Sequence, residues 1–144
     1  MGAPRVQILA FAALAVLLWA SSARAHDLLV IVNSSVEVRS LTASEVSSIY
    51  LLKSTVWPDG ARIVPVNREA ASEARERFSR TVLRQDNAVL SAYWNEMHFK
   101  GRLPPLIQES DQAVLAFVQK VPGALGYIDA ATAPVNVKVV WRLP

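Results

Sequence analysis

Arg68 and Ser72 stand four residues apart, where a β-like run at Arg62–Val66 gives way to a helical pattern from Glu69. A guanidinium beside a helix start suits a small oxyanion. The arginine offers a planar fork of donors, and the first helical turn adds partial positive charge and free amides. The Ser72 hydroxyl on that turn is a further donor or simply a surface serine. The same guanidinium is equally suited to an ion pair with Glu69 or Glu73, so an anion site and an internal pairing both stand open. Ser34 and Ser35 follow the first β-like run at its carboxyl end, the side on which open α/β sheets bind ligands. Asn33-Ser34-Ser35 is also ordinary turn chemistry. Arg75, further along the same helix, reads as a solvent-facing residue or a salt-bridge partner.

Other chemistries find no residues. The chain has no cysteine, which excludes a thiolate nucleophile, a thiolate metal site and disulfide staples. Its two histidines, His26 and His98, are far apart in sequence. An amino-terminal His26 could chelate copper, but a durable site needs more ligands than these, and no metal is expected. Asp59 and Asp129 lie near expected loop or strand ends, yet no paired-carboxylate spacing, nucleophile elbow or glycine-rich phosphate loop accompanies them. The expectation is a non-catalytic protein without a cofactor.

The elements that must position Arg68 follow from periodicity. Leu28–Val32 is a continuous apolar run, as in a strand buried on both faces. Thr42-Ala43-Ser44-Glu45 is a capping box, with Leu41 and Val46 placed for a hydrophobic staple, and opens a helix to about Leu52. Trp57-Pro58-Asp59-Gly60 is a turn. Pro65 inside the Arg62–Val66 run points to an edge strand or a strand end. Glu69–Leu83 reads as one helix with Ala71, Ala74, Phe78 and Val82 on its buried face. Its wet side carries the i,i+4 pairs Glu73–Arg77 and Glu76–Arg80. A further helix from about Asp86 places Val89, Leu90, Tyr93, Trp94 and Met97 on one face, and Pro104-Pro105 begins a loop. Ser110 or Asp111 caps the last helix, with Val114, Phe117, Val118 and Val121 as its stripe. Gly126–Asp129 and Val135–Trp141 read as closing strands. The order β-α-β-α-α-α-β-β predicts a single α/β domain with a mixed, mostly buried sheet of about four strands and helices on both faces.

The first twenty-five residues have the three parts of a secretory signal peptide: Arg5, the apolar run Ile8–Trp19, and Ala23-Arg24-Ala25 as a small-x-small cleavage site. Cleavage before His26 would leave 119 of the 144 residues, enough for one packed domain. Arg5 and Arg24 fall in the signal and no acid does, so 13 of the 15 basic residues remain against 12 acidic ones. That near-neutral balance removes the electrostatic case for a nucleic-acid partner. No second span of membrane length follows, so the mature chain is expected not to cross a membrane.

Leu41-Thr42-Ala43-Ser44-Glu45-Val46 with Ile49, then Trp57-Pro58-Asp59-Gly60, Ile63–Arg68, Phe78, Tyr93-Trp94 and Pro122-Gly123-Ala124-Leu125-Gly126-Tyr127 occur in that order. The series resembles one lobe of the periplasmic phosphate-binding proteins of ABC importers. More closely, it is similar to the small single-lobe proteins described as phosphate ABC transporter substrate-binding protein-like. The resemblance spans about Leu28 to Val140. It implies one lobe of a type II periplasmic binding protein, residence in the periplasm, and phosphate or another small oxyanion held near Arg68 and Ser72, with Ser34 and Ser35 as further candidate ligands. An ABC importer component or another envelope protein is the implied partner. In the family an arginine is followed four residues later by Ser-Gly-Thr at a helix start. Arg68 and Ser72 match, but Glu73 and Ala74 stand in place of glycine and threonine. A hydroxyl donor is lost and a like charge is gained. The alternative is therefore a periplasmic interaction module that keeps the lobe and has lost its ligand.

Overall fold

The computed structural model describes Gly2 and residues 26–144. The rest of the predicted signal peptide, residues 1–25, lies outside the described residues. Among these, no helix is long and apolar enough to cross a membrane.

Nine elements follow one another along the described residues: β1 (Leu28–Asn33), α1 (Ala43–Tyr50), β2 (Val64–Arg68), α2 (Glu73–Phe78, continued by a π-helical turn at Ser79–Leu83), α3 (Asn87–Phe99), β3 (Leu106–Gln108), α4 (Asp111–Lys120), β4 (Ala124–Asp129) and β5 (Val137–Leu143). The strands form one mixed sheet in the order β3-β2-β4-β1-β5. β2 is parallel to β3 and β4, while β1 is antiparallel to both β4 and β5.

β1 is buried throughout because both faces of the sheet are covered. Leu28, Val30 and Val32 join the layer formed by α1, α2 and α3, with Val46, Ile49, Tyr50, Phe78 and Leu90. Leu29 and Ile31 turn the other way, onto Val114 and Val118 of α4. Helices thus lie on both faces, three on one and one on the other. The first layer is centred on aromatics: the Phe78 ring stacks on Tyr127 at 4.1 Å between centroids and meets the Tyr50 ring edge-on at 4.6 Å.

The capping box forms as its residues predict. Thr42 Oγ1 accepts the Glu45 N–H at 3.2 Å, and Glu45 Oε2 accepts the Thr42 N–H at 2.7 Å. Other elements differ from the expectation for identifiable reasons. The sheet has five strands, since β3 forms inside the stretch expected to be loop; three residues are too short to show a period. β2 lies two residues later than expected and is interior, not an edge. Pro65 is tolerated because the Val64 N–H is the one that reaches Gly123 O. The Pro65 nitrogen therefore faces the side where β3, which begins opposite Val66, has not yet arrived. α2 starts at Glu73 and not Glu69, because Ser72 turns extended to cap it. Ala71 and Val89, expected on buried faces, are exposed. Glu76 and Arg80 pair at 3.3 Å, whereas Arg77 leaves Glu73 and donates to the carbonyls of His26 and Pro144.

Candidate functional site

The parallel strands β2, β3 and β4 end together, which brings Arg68, Gln108 and Asp129 to one end of the sheet. The N-termini of α2 and α4 open at the same end, capped by Ser72 and Ser110. Arg68 is the centre of this cluster. Its side chain is only 12% exposed, and every face of the guanidinium meets a carboxylate. Nε and one terminal nitrogen donate to the two Glu69 oxygens at 2.9 and 3.1 Å, a bidentate fork. The other terminal nitrogen donates to Asp111 Oδ1. Asp111 Oδ2 accepts the Asp129 N–H at 3.1 Å and lies 3.5 Å from the Thr132 hydroxyl, so one carboxylate fastens α4 to β2 and β4 together. The hydrogen bond from Arg68 holds the Glu69 carboxyl below its ordinary range, and the same bond raises Arg68 further.

Behind the arginine lies a second polar layer. Asn67 is buried, and its Oδ1 accepts the Arg68 N–H at 3.1 Å and the Tyr127 hydroxyl. The Tyr127 oxygen accepts the same Arg68 N–H at 3.3 Å. Arg75 crosses back to donate to Arg68 O at 2.6 Å. These bonds fix the β2 end. Burial pushes the Tyr127 hydroxyl well above its ordinary value and does the same to Tyr50, whose hydroxyl donates to Val66 O at 2.8 Å.

A group whose folded value is raised stabilises fully below its unfolded value, here 10.0, and that stabilisation is lost as pH rises toward the folded value. Alkaline titration above pH 10 is therefore expected to unfold the protein. For two of its three tyrosines, tyrosinate absorbance should appear with the loss of the near-ultraviolet circular dichroism and not before it. Simple reversible ionisation of all three in the folded protein would contradict the buried placement of Tyr50 and Tyr127.

The two candidate pairs do not meet. Arg68 and Ser72 share the carboxyl end of β2. Ser72 donates to Glu69 O at 3.0 Å and accepts the Arg75 N–H at 3.1 Å, so its hydroxyl serves as the α2 cap. The amides of Glu73 and Ala74 beside it have no acceptor among the described residues. Ser34 and Ser35 lie at the opposite end of the sheet, because β1 runs antiparallel to β4 and hence to β2. They are exposed, and Asn33 beside them is structural: its side-chain amide donates to the last-turn carbonyls of Val118 and Gln119 at 2.7 and 3.1 Å. Ser34 and Ser35 are accordingly not part of an Arg68 site. His26 Nδ1 lies 3.3 Å from Asp129 Oδ1, and His98 is in the last turn of α3. Asp111, Asn67 and Tyr127 were not singled out as site residues by the sequence. The usable signal for Asp111 was its place just after the Ser110 cap, since a helix following a parallel strand begins at that strand's carboxyl end.

No protein-family model matches the chain. Solved structures do. A phosphate ABC transporter substrate-binding protein from Clostridium perfringens, determined with bound phosphate, is 26% identical with a TM-score of 0.66, over 81% of this chain and 45% of that one. An ABC-type phosphate transport receptor from Vibrio cholerae matches at 22% identity and TM-score 0.59, over 80% of this chain and 46% of that one. PstS from Borrelia burgdorferi matches at 16% and 0.57, over 81% and 47%. The chain spans less than half the length of each, and its fold is that of one lobe of such a protein.

Proposed function

We propose that this is an exported, non-catalytic binding lobe whose Arg68 end takes a small oxyanion, with phosphate the first candidate. The observation that carries the reading is the bidentate fork of Arg68 on Glu69. The guanidinium already holds an oxyanion, supplied by the chain itself, in the geometry by which arginine recognises carboxylate and phosphate alike. A phosphate that displaced Glu69 would keep the arginine fork and gain the neighbouring amides of Glu73 and Ala74. The Clostridium perfringens neighbour holds phosphate. The periplasm is the proposed location, and an importer component or another envelope protein the proposed partner.

A second reading, a lobe that has given up its ligand and acts by docking, is favoured by one fact: Arg68 has two carboxylate partners, Glu69 and Asp111, and no free face.

Glu69→Ala separates the two. In thermal unfolding with phosphate, sulfate, molybdate or chloride, the first reading expects a small phosphate shift in the parent and a larger one in Glu69→Ala. A ligand at a hundred times its dissociation constant stabilises by about 2.7 kcal/mol. The shift should vanish in Glu69→Ala/Arg68→Ala. Absence of any anion-dependent shift in Glu69→Ala at millimolar concentration would leave the docking reading standing.

A further inference from the structure

The outer edge of β3, with the groove beside the first residues of β2, is a surface that the anion reading does not use. β3 is an edge strand of three residues, hydrogen-bonded to β2 on one side and, among the described residues, to no strand on the other. Leu106 and Ile107 on it are 55% and 56% exposed, and Leu103 just before it is 70% exposed. Where β3 stops short of the first residues of β2, an open groove of about 850 Å³ remains. Val64 and Pro65 line it, Val56 and Leu103 flank it, and Leu106 closes it toward β3. Two charged residues line the groove, Arg62 and Arg102, with no acid among its walls. Arg102 spends one donor on Leu52 O at 3.0 Å, and among the described residues neither arginine forms an ion pair.

We infer that this edge docks an extended acidic and apolar segment of a partner protein, which adds as a strand beside β3, seats an apolar side chain in the groove and places carboxylates on Arg62 and Arg102. Each part follows from the surface. Unpaired strand edges accept an added strand, with main-chain bonds giving affinity and side-chain pockets giving specificity. Pro65 blunts the neighbouring edge of β2, so the open template is β3. The two unpaired arginines select the charge of the segment. A second copy of this chain fits poorly, since a two-fold contact would bring the same arginines against each other. A lipid surface fits poorly too, because it offers no partner for the free main-chain groups of β3. The inference does not depend on whether Arg68 takes an anion.

The probe is a fluorescein-labelled peptide of alternating glutamate and valine, titrated with the protein and followed by anisotropy. Lysine–valine and glutamate–serine peptides are the controls. The glutamate–valine peptide should bind about tenfold more tightly than either control, 1.4 kcal/mol in affinity, and more weakly as salt rises. Arg62→Gln and Leu106→Ser, both at exposed positions, should each weaken it several-fold. Equal binding of all three peptides, or indifference to both surface variants, would overturn the inference. So would a concentration-dependent dimer abolished by Leu106→Ser, or binding to anionic vesicles in place of the peptide.

Discussion

Gly123→Ala is expected to lower stability by about 4 kcal/mol, a large part of what a domain of this size has to lose. Gly123 has φ +76°, and a Cβ there would lie 2.2 Å from the backbone oxygen of Arg62. The opposing atom is main chain, so no side chain can rotate out of the way. Nor can the glycine move freely. Its carbonyl accepts the Val64 N–H at 3.1 Å and the indole N–H of Trp57 at 3.0 Å. It is the point at which the α4–β4 turn, the start of β2 and the Trp57 turn are pinned together. The expected loss combines the left-handed penalty of about 1–2 kcal/mol with about 2–3 kcal/mol of overpacking. Gly60→Ala isolates the first part. Gly60 has φ +86°, but nothing lies within 4 Å of where a Cβ would stand, so it should cost only the conformational penalty. Urea unfolding of both variants measures the difference. Equal losses would show that the Arg62 contact relaxes and that the pinning is weaker than the distances indicate.

That junction shows how the sequence could be read and where it stopped. Pro122-Gly123-Ala124-Leu125-Gly126-Tyr127 was legible as a helix stop followed by a strand because glycine and proline act locally. The capping box at Thr42 and the doubly buried run at Leu28 were legible for the same reason: each is a pattern of a few adjacent residues with one physical solution. What was not legible depends on residues distant in the chain. β3 exists because β2 is beside it. Glu69–Ser72 leaves the helical pattern because it closes as a turn, the Ser72 N–H donating to Glu69 O, before Ser72 caps the helix. The likeness to a phosphate-binding lobe survives in the fold, and Arg68 lands at the expected sheet end. Ser34 and Ser35 lie at the other end of the sheet because β1 runs against β2 and β4, a direction that its own residues do not encode. Asp111 lies 43 positions from Arg68, a pairing that only the topology reveals.

Arg68→Ala should cost about 3 kcal/mol at neutral pH, because it strips two partly buried carboxylates of their cation. Asp111 is the more exacting of the two. Its side chain is 15% exposed, and its second oxygen stays tied to the Asp129 amide, so it cannot swing into water without releasing β4. Arg68→Ala/Asp111→Asn should therefore recover part of the loss, since the amide brings no uncompensated charge and can still accept from Asp129. Glu69 supplies a pH signature. Its folded value lies below the ordinary 4.5, so its share of the stabilisation is present above that pH and is lost as pH falls through the folded value. Arg68→Ala lacks this share at every pH. The stability gap between parent and variant should thus narrow as the solution is acidified below about 4.5. An exposed arginine with only solvated partners would give a gap under about 1 kcal/mol that barely changes with pH. Denaturant titrations of parent, single and double variants at neutral and acid pH decide between these, and they do so without any ligand. The strength with which the chain holds its own carboxylate on Arg68 is also what the proposed oxyanion would have to overcome.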